Sequence, residues 1–130
     1  MTTLIRALND CDRSAFEQLL ADDVAFNSPV RTYRERADVI HLLTTLGGLL
    51  GDVRTVREWS GPDGAATVVS VGDGDDRLDG VIEELHGADG RVVEVTLMLR
   101  PLGTLLHAVK RMGRALERSP LPSGTTLTDS

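Results

Sequence analysis

Apolar residues recur every three or four positions over the first fifty residues, at every second position from about 53 to 100, and again at helical spacing thereafter. In the first part, Leu4, Leu8 and Cys11 with Ile5 beside them predict a short amphipathic helix over 3–10. Phe16, Leu19 and Leu20 predict a second over 13–21, with Asp12 as cap and Ser14 and Glu17 at capping-box spacing. Val24 to Asn27 reads as a short strand, stopped at Ser28-Pro29 because proline cannot donate to a ladder. A loop with Arg31 and Tyr33 leads to a long helix over 35–50. Its stripe is Val39, Leu42, Leu43, Leu46 and Leu50, and Gly47, Gly48 and Gly51 weaken its end.

The alternating region divides into runs at 53–59, 65–71, 77–86 and 91–100, separated by Gly-Pro-Asp-Gly, Gly-Asp-Gly-Asp-Asp and Gly-Ala-Asp-Gly. Connections this short join antiparallel neighbours. In the last run Val93, Val95, Leu97 and Leu99 form the predicted buried face, and Val92, Thr96 and Met98 the opposite one. Pro101 then opens a closing helix with Leu102, Leu105, Val109, Met112 and Leu116 on one side. Lys110, Arg111, Arg114 and Arg118 lie in its C-terminal half, where cations complement the helix dipole. Helices followed by a strand meander predict an α+β fold, its helices gathered on one face of a curved antiparallel sheet to close a cone. Residues 1–118 form one domain in this reading. Residues 119–130, rich in Pro, Ser and Thr without periodicity, form a disordered tail.

Composition narrows the function classes. The chain of 130 residues carries a formal charge of -6, which argues against sequence-independent nucleic-acid binding. With four aromatic residues, Phe16, Phe26, Tyr33 and Trp59, aliphatic side chains must fill the core. The lone Cys11 excludes an internal disulfide, and no stretch has the length of apolar sequence that a membrane span needs. No basic-then-apolar leader precedes Leu4, so the cytoplasm is the expected compartment.

The stretches LNDCDRSAFEQLLADDVAFNSPV, YRERADVIHLL and DGVIEELHGADGRVVEVTLMLRPL together resemble the SnoaL-like branch of the NTF2-like superfamily. The resemblance runs from Leu4 to Leu116. It implies a cone-shaped barrel with an internal pocket, often a homodimer through the outer sheet face, and no cofactor. It also implies where proton-transfer groups would stand in its isomerases. An aspartate before the proline that follows the first strand is Ser28 here. A tyrosine on the first helix and a protonated aspartate on the penultimate strand fall on Leu4 and Ile82, and the acid of the epoxide hydrolases falls near Leu97. Leucine and isoleucine transfer no protons, so a ketosteroid-type enolisation is not expected.

The chemistry left to weigh is sparse. Period two places Leu78, Gly80, Ile82, Glu84 and His86 on one face of the penultimate strand and Asp79, Val81 and Glu83 on the other. Glu84, or else Asp79, is therefore the candidate relocated catalytic carboxylate of an isomerase, cyclase or hydrolase. Phe16, Phe26, Tyr33, His41, Trp59, Ile82 and Leu97 are the candidate walls of a pocket for a small apolar molecule, the expected partner besides a second copy of the chain. Neither a nucleic acid nor a membrane is expected. Three scattered histidines lack the spacing of a zinc site, His107 falls on a basic polar face, and the GDGDD turn lacks the glutamate of a calcium loop. Cys11, at a helix C-terminus, reads as a small buried hydrophobe rather than a nucleophile.

Overall fold

The computed structural model describes residues 1–127. Two short helices, α1 (Thr3–Asp10) and α2 (Arg13–Leu19), precede β1 (Leu20–Asn27), β2 (Thr32–Tyr33) and α3 (Arg36–Leu50). The meander β3 (Val53–Gly61), β4 (Gly64–Val71), β5 (Leu78–His86) and β6 (Val92–Arg100) follows, and α4 (Leu102–Arg118) closes the chain. Thr2 caps α1 by accepting from Ile5 N–H at 3.2 Å, and Asp12 caps α2 by accepting from Ala15 N–H at 3.1 Å.

The six strands lie in the order β2-β1-β6-β5-β4-β3. The meander is antiparallel throughout, as its short turns require, but β1 runs parallel to β6, so the sheet is mixed rather than antiparallel. A parallel neighbour needs a long crossover, and here everything from α3 to β5 supplies it. Register shifts interrupt β1 between Leu20 and Ala25, β3 between Thr55 and Arg57, and the β5–β6 pair between Leu85 and His86. Extra residues of this kind bend a sheet, and the helices fill its concave side.

The last shift exchanges two expected positions. Val92 pairs with His86 and is fully buried, whereas Val93 is half-exposed. The inner face carries Val95 and Leu97 on β6, as the alternation predicts, with Thr67, Val69 and Val71 on β4 and Leu78, Ile82 and Glu84 on β5. Against it pack Leu4, Ile5 and Leu8 of α1, Phe16 of α2, and Val39, Leu42 and Leu43 of α3. Each such side chain contributes roughly 1.5–3 kcal/mol by leaving water.

α1 is held at both ends. The Asn9 side-chain amide donates to the Val53 carbonyl at 3.1 Å and accepts from Val53 N–H at 2.7 Å, which ties the helix to the start of β3. Gly47 does more than weaken α3: a Cβ there would collide with the Leu8 carbonyl oxygen, so its absence lets the two helix backbones touch. Cys11 is not buried as expected. It ends α1 in the left-handed conformation, φ 50°, and is exposed.

The expected disorder of the tail does not hold over residues 119–127, which cross the mouth of the cone with Leu121 buried. Residues 128–130 lie outside the described residues.

Candidate ligand-binding site

Between the sheet and the two long helices lies an apolar cavity of about 60 Å³. Phe26, Leu97 and Leu99 form its floor, Tyr33 and the Ser28–Val30 turn one wall, Leu42, Leu46, Leu49 and Leu50 of α3 another. Leu105, Ala108, Val109 and Met112 of α4 and Leu127 of the tail line its remaining side. The local sequence explains the arrangement. Phe26 and Tyr33 face each other across the β1–β2 ladder, their rings 6.3 Å apart, because the Ser28-Pro29 turn reverses the chain there. The Ser28 hydroxyl donates to the Arg31 carbonyl at 2.8 Å and accepts from Val30 and Arg31 N–H at 3.2 and 3.1 Å, so it shapes the turn.

Tyr33 carries the titratable group of this wall. Burial pushes its phenol above the ordinary value, Asp38 adds to that, and Arg31, whose guanidinium carbon lies 5.3 Å from the ring centre, opposes it. The phenol is therefore a neutral donor at physiological pH, facing the Leu127 carbonyl at a long 3.5 Å. Because the folded state keeps this proton longer than the unfolded one, Tyr33 stabilises the domain below its unfolded pKa, near 10, and that stability is lost as pH rises further. Melts between pH 9 and 11 should show the loss in the wild-type chain and a smaller one in Tyr33→Phe.

Of the candidate wall residues, Phe26, Tyr33 and Leu97 line this cavity. Phe16 and Ile82 instead fill the solid core, 0% and 3% exposed, nearer the closed end of the cone. His41 does not reach the cavity. Its Nδ1 lies 3.1 Å from Arg13 and its Nε2 2.7 Å from the Ser119 carbonyl, on the outer side of α3. Trp59 is on the outer sheet face, 58% exposed, with Arg57 stacked over it at 5.9 Å. The α4 and tail residues were not singled out from the sequence, although the Leu105-Val109-Met112 stripe was its visible signal.

The two carboxylates also separate. Asp79 is on the outer face, bound to Arg77 at 2.9 Å, and that hydrogen bond holds its carboxyl below the usual range, with the Ser70 hydroxyl assisting and burial opposing. It is not positioned to act on anything in the cavity. Glu84 does face inward and is 3% exposed. One oxygen meets His86 Nε2 at 3.2 Å and the other, Oε2, has no hydrogen-bond partner. Glu84 pairs with Val95, two residues before the cavity-lining Leu97, so it sits roughly 7 Å deeper along the sheet. Among the described residues, the cavity wall carries no carboxylate, imidazole or thiol. Among the described residues, no group of three or more His, Cys, Asp or Glu side chains is placed to hold a metal ion. Nor is any helix among them long and apolar enough to cross a membrane.

No protein-family model matches the sequence, and no curated protein sequence matches it. Solved structures do. A steroid delta-isomerase from Pseudomonas aeruginosa superposes with a TM-score of 0.80 at 25% identity, covering 88% of this chain and 86% of that one. An uncharacterized bacterial protein with a cystatin-like fold from Silicibacter pomeroyi gives 0.80 at 22% identity, over 88% and 85%. A SnoaL-like protein of unknown function from Burkholderia thailandensis gives 0.62 at 19%, over 75% and 89%. By that likeness the chain has a bent sheet packed on helices, the fold of cystatin-like and NTF2-like proteins.

Proposed function

We propose that this chain is a small-molecule-binding domain of SnoaL-like type, whose ligand is apolar and occupies the cavity between β6, α3 and α4. The observation that carries the reading is the chemistry of the wall: mostly aliphatic side chains with Phe26 and Met112, besides Ser28, which is held in its turn, and Tyr33. Leu4 and Ile82, the positions where the sequence resemblance puts proton-transfer groups of isomerases, are packed in the core, and Ser28 is engaged in a turn. The test is thermal melting with added steroids, aromatic polyketide-like compounds and fatty acids. A ligand at about 100 times its dissociation constant adds roughly 2.7 kcal/mol to stability. A series in which no apolar compound raises the melting temperature would count against the proposal.

A second reading, an isomerase, cyclase or hydrolase, rests on the buried Glu84 with its unpartnered oxygen beside His86. The two readings differ on Glu84→Gln. In a binding domain this substitution leaves ligand affinity unchanged and stability equal or higher, because a buried carboxylate oxygen without a partner costs desolvation that an isosteric amide lowers. Loss of turnover with ligand binding retained would favour the enzyme.

Assembly belongs to the same proposal. The outer sheet face exposes Val56, Trp59 and Met98, at 51%, 58% and 64%, and we assign it to a homodimer in the cytoplasm. Val92, expected on that face, is buried and takes no part. Met98→Asp should convert the dimer to a monomer in sedimentation equilibrium; a wild-type chain that is already monomeric at micromolar concentration would contradict the assignment.

A further inference from the structure

The turn that joins β4 to β5 faces α4 across a groove of about 400 Å³, a size within the range of ordinary small-molecule sites. Its floor is apolar: Leu49 and Leu50 from the end of α3, Val71 and Leu78 from the sheet, and Ala108 of α4. Leu49, Leu50 and Ala108 also line the inner cavity, so these side chains part the two spaces.

The rim of the groove differs from its floor. Asp76 lines it on the side of the turn, and Arg111, with Thr104 and His107, on the side of α4. The backbone on either side is held in place. Arg111 donates to the Leu49 carbonyl at 3.1 Å, which sets its guanidinium against the last turn of α3. In the turn, Asp76 N–H donates to the Asp73 carbonyl at 3.1 Å and Arg54 to the Gly72 carbonyl at 2.6 Å. Gly72, at φ 74°, passes so near the Asp76 carbonyl oxygen that a Cβ on it would meet that atom at 2.8 Å. Thr104 links the turn to α4 by donating to the Asp75 carbonyl at 3.4 Å.

Among the described residues, neither Asp76 nor Arg111 forms an ion pair, with the other or with a third residue. Asp73 of the same turn does, 3.8 Å from Arg54. Unlike charges that share a groove and stay apart leave room between them for a molecule that carries both signs. A simple carboxylic acid on Arg111 would set its anion before Asp76, and a simple amine on Asp76 would set its cation before Arg111. A zwitterion satisfies both walls.

We propose that this groove is a second binding site, for an apolar α-amino acid such as leucine or phenylalanine, with its carboxylate on Arg111, its ammonium on Asp76 and its side chain on the apolar floor. Both charges of such a molecule sit on one carbon and the apolar remainder points away from it, which is the order in which rim and floor present their groups. A guanidinium grips a carboxylate through parallel N–H bonds, and Arg111 gives one N–H to Leu49 and has others to offer. The site does not depend on the apolar ligand proposed for the inner cavity.

Calorimetric titration of the full chain with L-leucine and L-phenylalanine tests it, beside N-acetyl-leucine, which lacks the ammonium, and leucinamide, which lacks the carboxylate. Leucine should bind about tenfold or more tightly than either altered compound, the scale of one hydrogen bond to a charged group. Arg111→Gln and Asp76→Asn should each weaken leucine by a similar factor, and Arg111→Lys, which keeps the charge, by less. A thermal melt of each variant checks that it is folded, and apolar ligands of the inner cavity should bind all three as they bind the parent. A loss in only one of Arg111→Gln and Asp76→Asn would make the ligand a simple acid or amine and overturn the amino-acid assignment. Leucine binding unchanged in both, equal binding of leucine and its two altered forms, or no binding of either amino acid at millimolar concentration would overturn the site itself and leave the inner cavity's reading untouched.

Discussion

Replacing Phe16 with alanine is expected to cost the domain about 3–5 kcal/mol, the range for truncating a fully buried phenylalanine. Phe16 is the largest of the side chains that are wholly buried, and it stands where α2 meets the core formed by α1, α3 and the sheet. Domains of this size have about 5–15 kcal/mol in total, so the variant should unfold on the order of 10–20 °C lower and keep only a narrow range of stability at 37 °C. Chemical denaturation followed by the far-ultraviolet signal measures it. A loss under about 1 kcal/mol would mean that the concave side is less tightly packed around this residue than the structure places it. The side chain takes no part in the cavity, so a Phe16→Ala chain that remains folded should bind apolar ligands as the parent does.

The opposite pattern is expected from Ala108→Phe. Ala108 sits on the face of α4 that closes the cavity, with Leu105 and Met112 one turn to either side. A phenyl ring there occupies the space a ligand needs, so affinity should fall at least about 100-fold, equivalent to about 2.7 kcal/mol. Stability should change by less than about 2 kcal/mol, because the ring enters existing space rather than displacing packed atoms. Calorimetric titration beside a thermal melt separates the two quantities. Unaltered affinity with a large loss of stability would show that ligands bind elsewhere.

The two substitutions divide the molecule as the chain itself divides it. On β6 the alternation of apolar residues is enough to identify the inner face, and Val95 and Leu97 are buried as their period requires, whereas on β5 neither face is cleanly apolar and the sequence leaves open which one Ile82 and Glu84 present inward. Where the sheet bends, the same reasoning misplaced residues for a definite physical cause. Uninterrupted alternation from Val53 and Thr55 would carry Arg57 and Trp59 to the inner face. The register shift between Thr55 and Arg57 reverses this, so Trp59 points to solvent and Glu58 reaches toward the helix layer, 3.5 Å from the N-terminal amine. The shift between Leu85 and His86 does the same for Val92 and Val93. Bulges leave no signature in a single sequence that distinguishes them from a residue of ordinary strand.

Pairings between distant segments were illegible for another reason. That β1 runs alongside β6 is decided by the shape of the whole sheet, not by any residue of Leu20 to Asn27. β2, only Thr32–Tyr33, is too short to show a period. The tail was misjudged from its Pro, Ser and Thr content, which describes a segment unable to build a core of its own. Leu121 and Ser123 need only borrow one, and Asp38 and the cone's mouth supply it. The candidate cavity was half visible. Phe26, Tyr33 and Leu97 stand out as aromatic or inward-facing residues, whereas Leu46, Leu105 and Val109 look like ordinary core until α3 and α4 are seen to meet without filling the space between them.

The same geometry keeps Glu84 and Asp79 out of the cavity wall. An enolising site needs a base and a donor within hydrogen-bond reach of one substrate. Of the two buried carboxyl groups, Glu84 lies one row of side chains deeper, with Ile82 beside Leu97 between it and the open end, and Asp38 is engaged by Ser123. Asp79 is on the far side of the sheet and paired to Arg77.

The central claim is that an apolar molecule binds inside the hollow at the open end of the cone, and methyl resonances report on that space directly. In a titration of the chain with methyl-labelled Leu and Val against an apolar ligand, the shifts should concentrate on Leu42, Leu46, Leu97, Leu105 and Val109. Val56 and Val81 on the outer sheet face should stay still. Shifts confined to that outer face, or none at saturating ligand, would contradict the account.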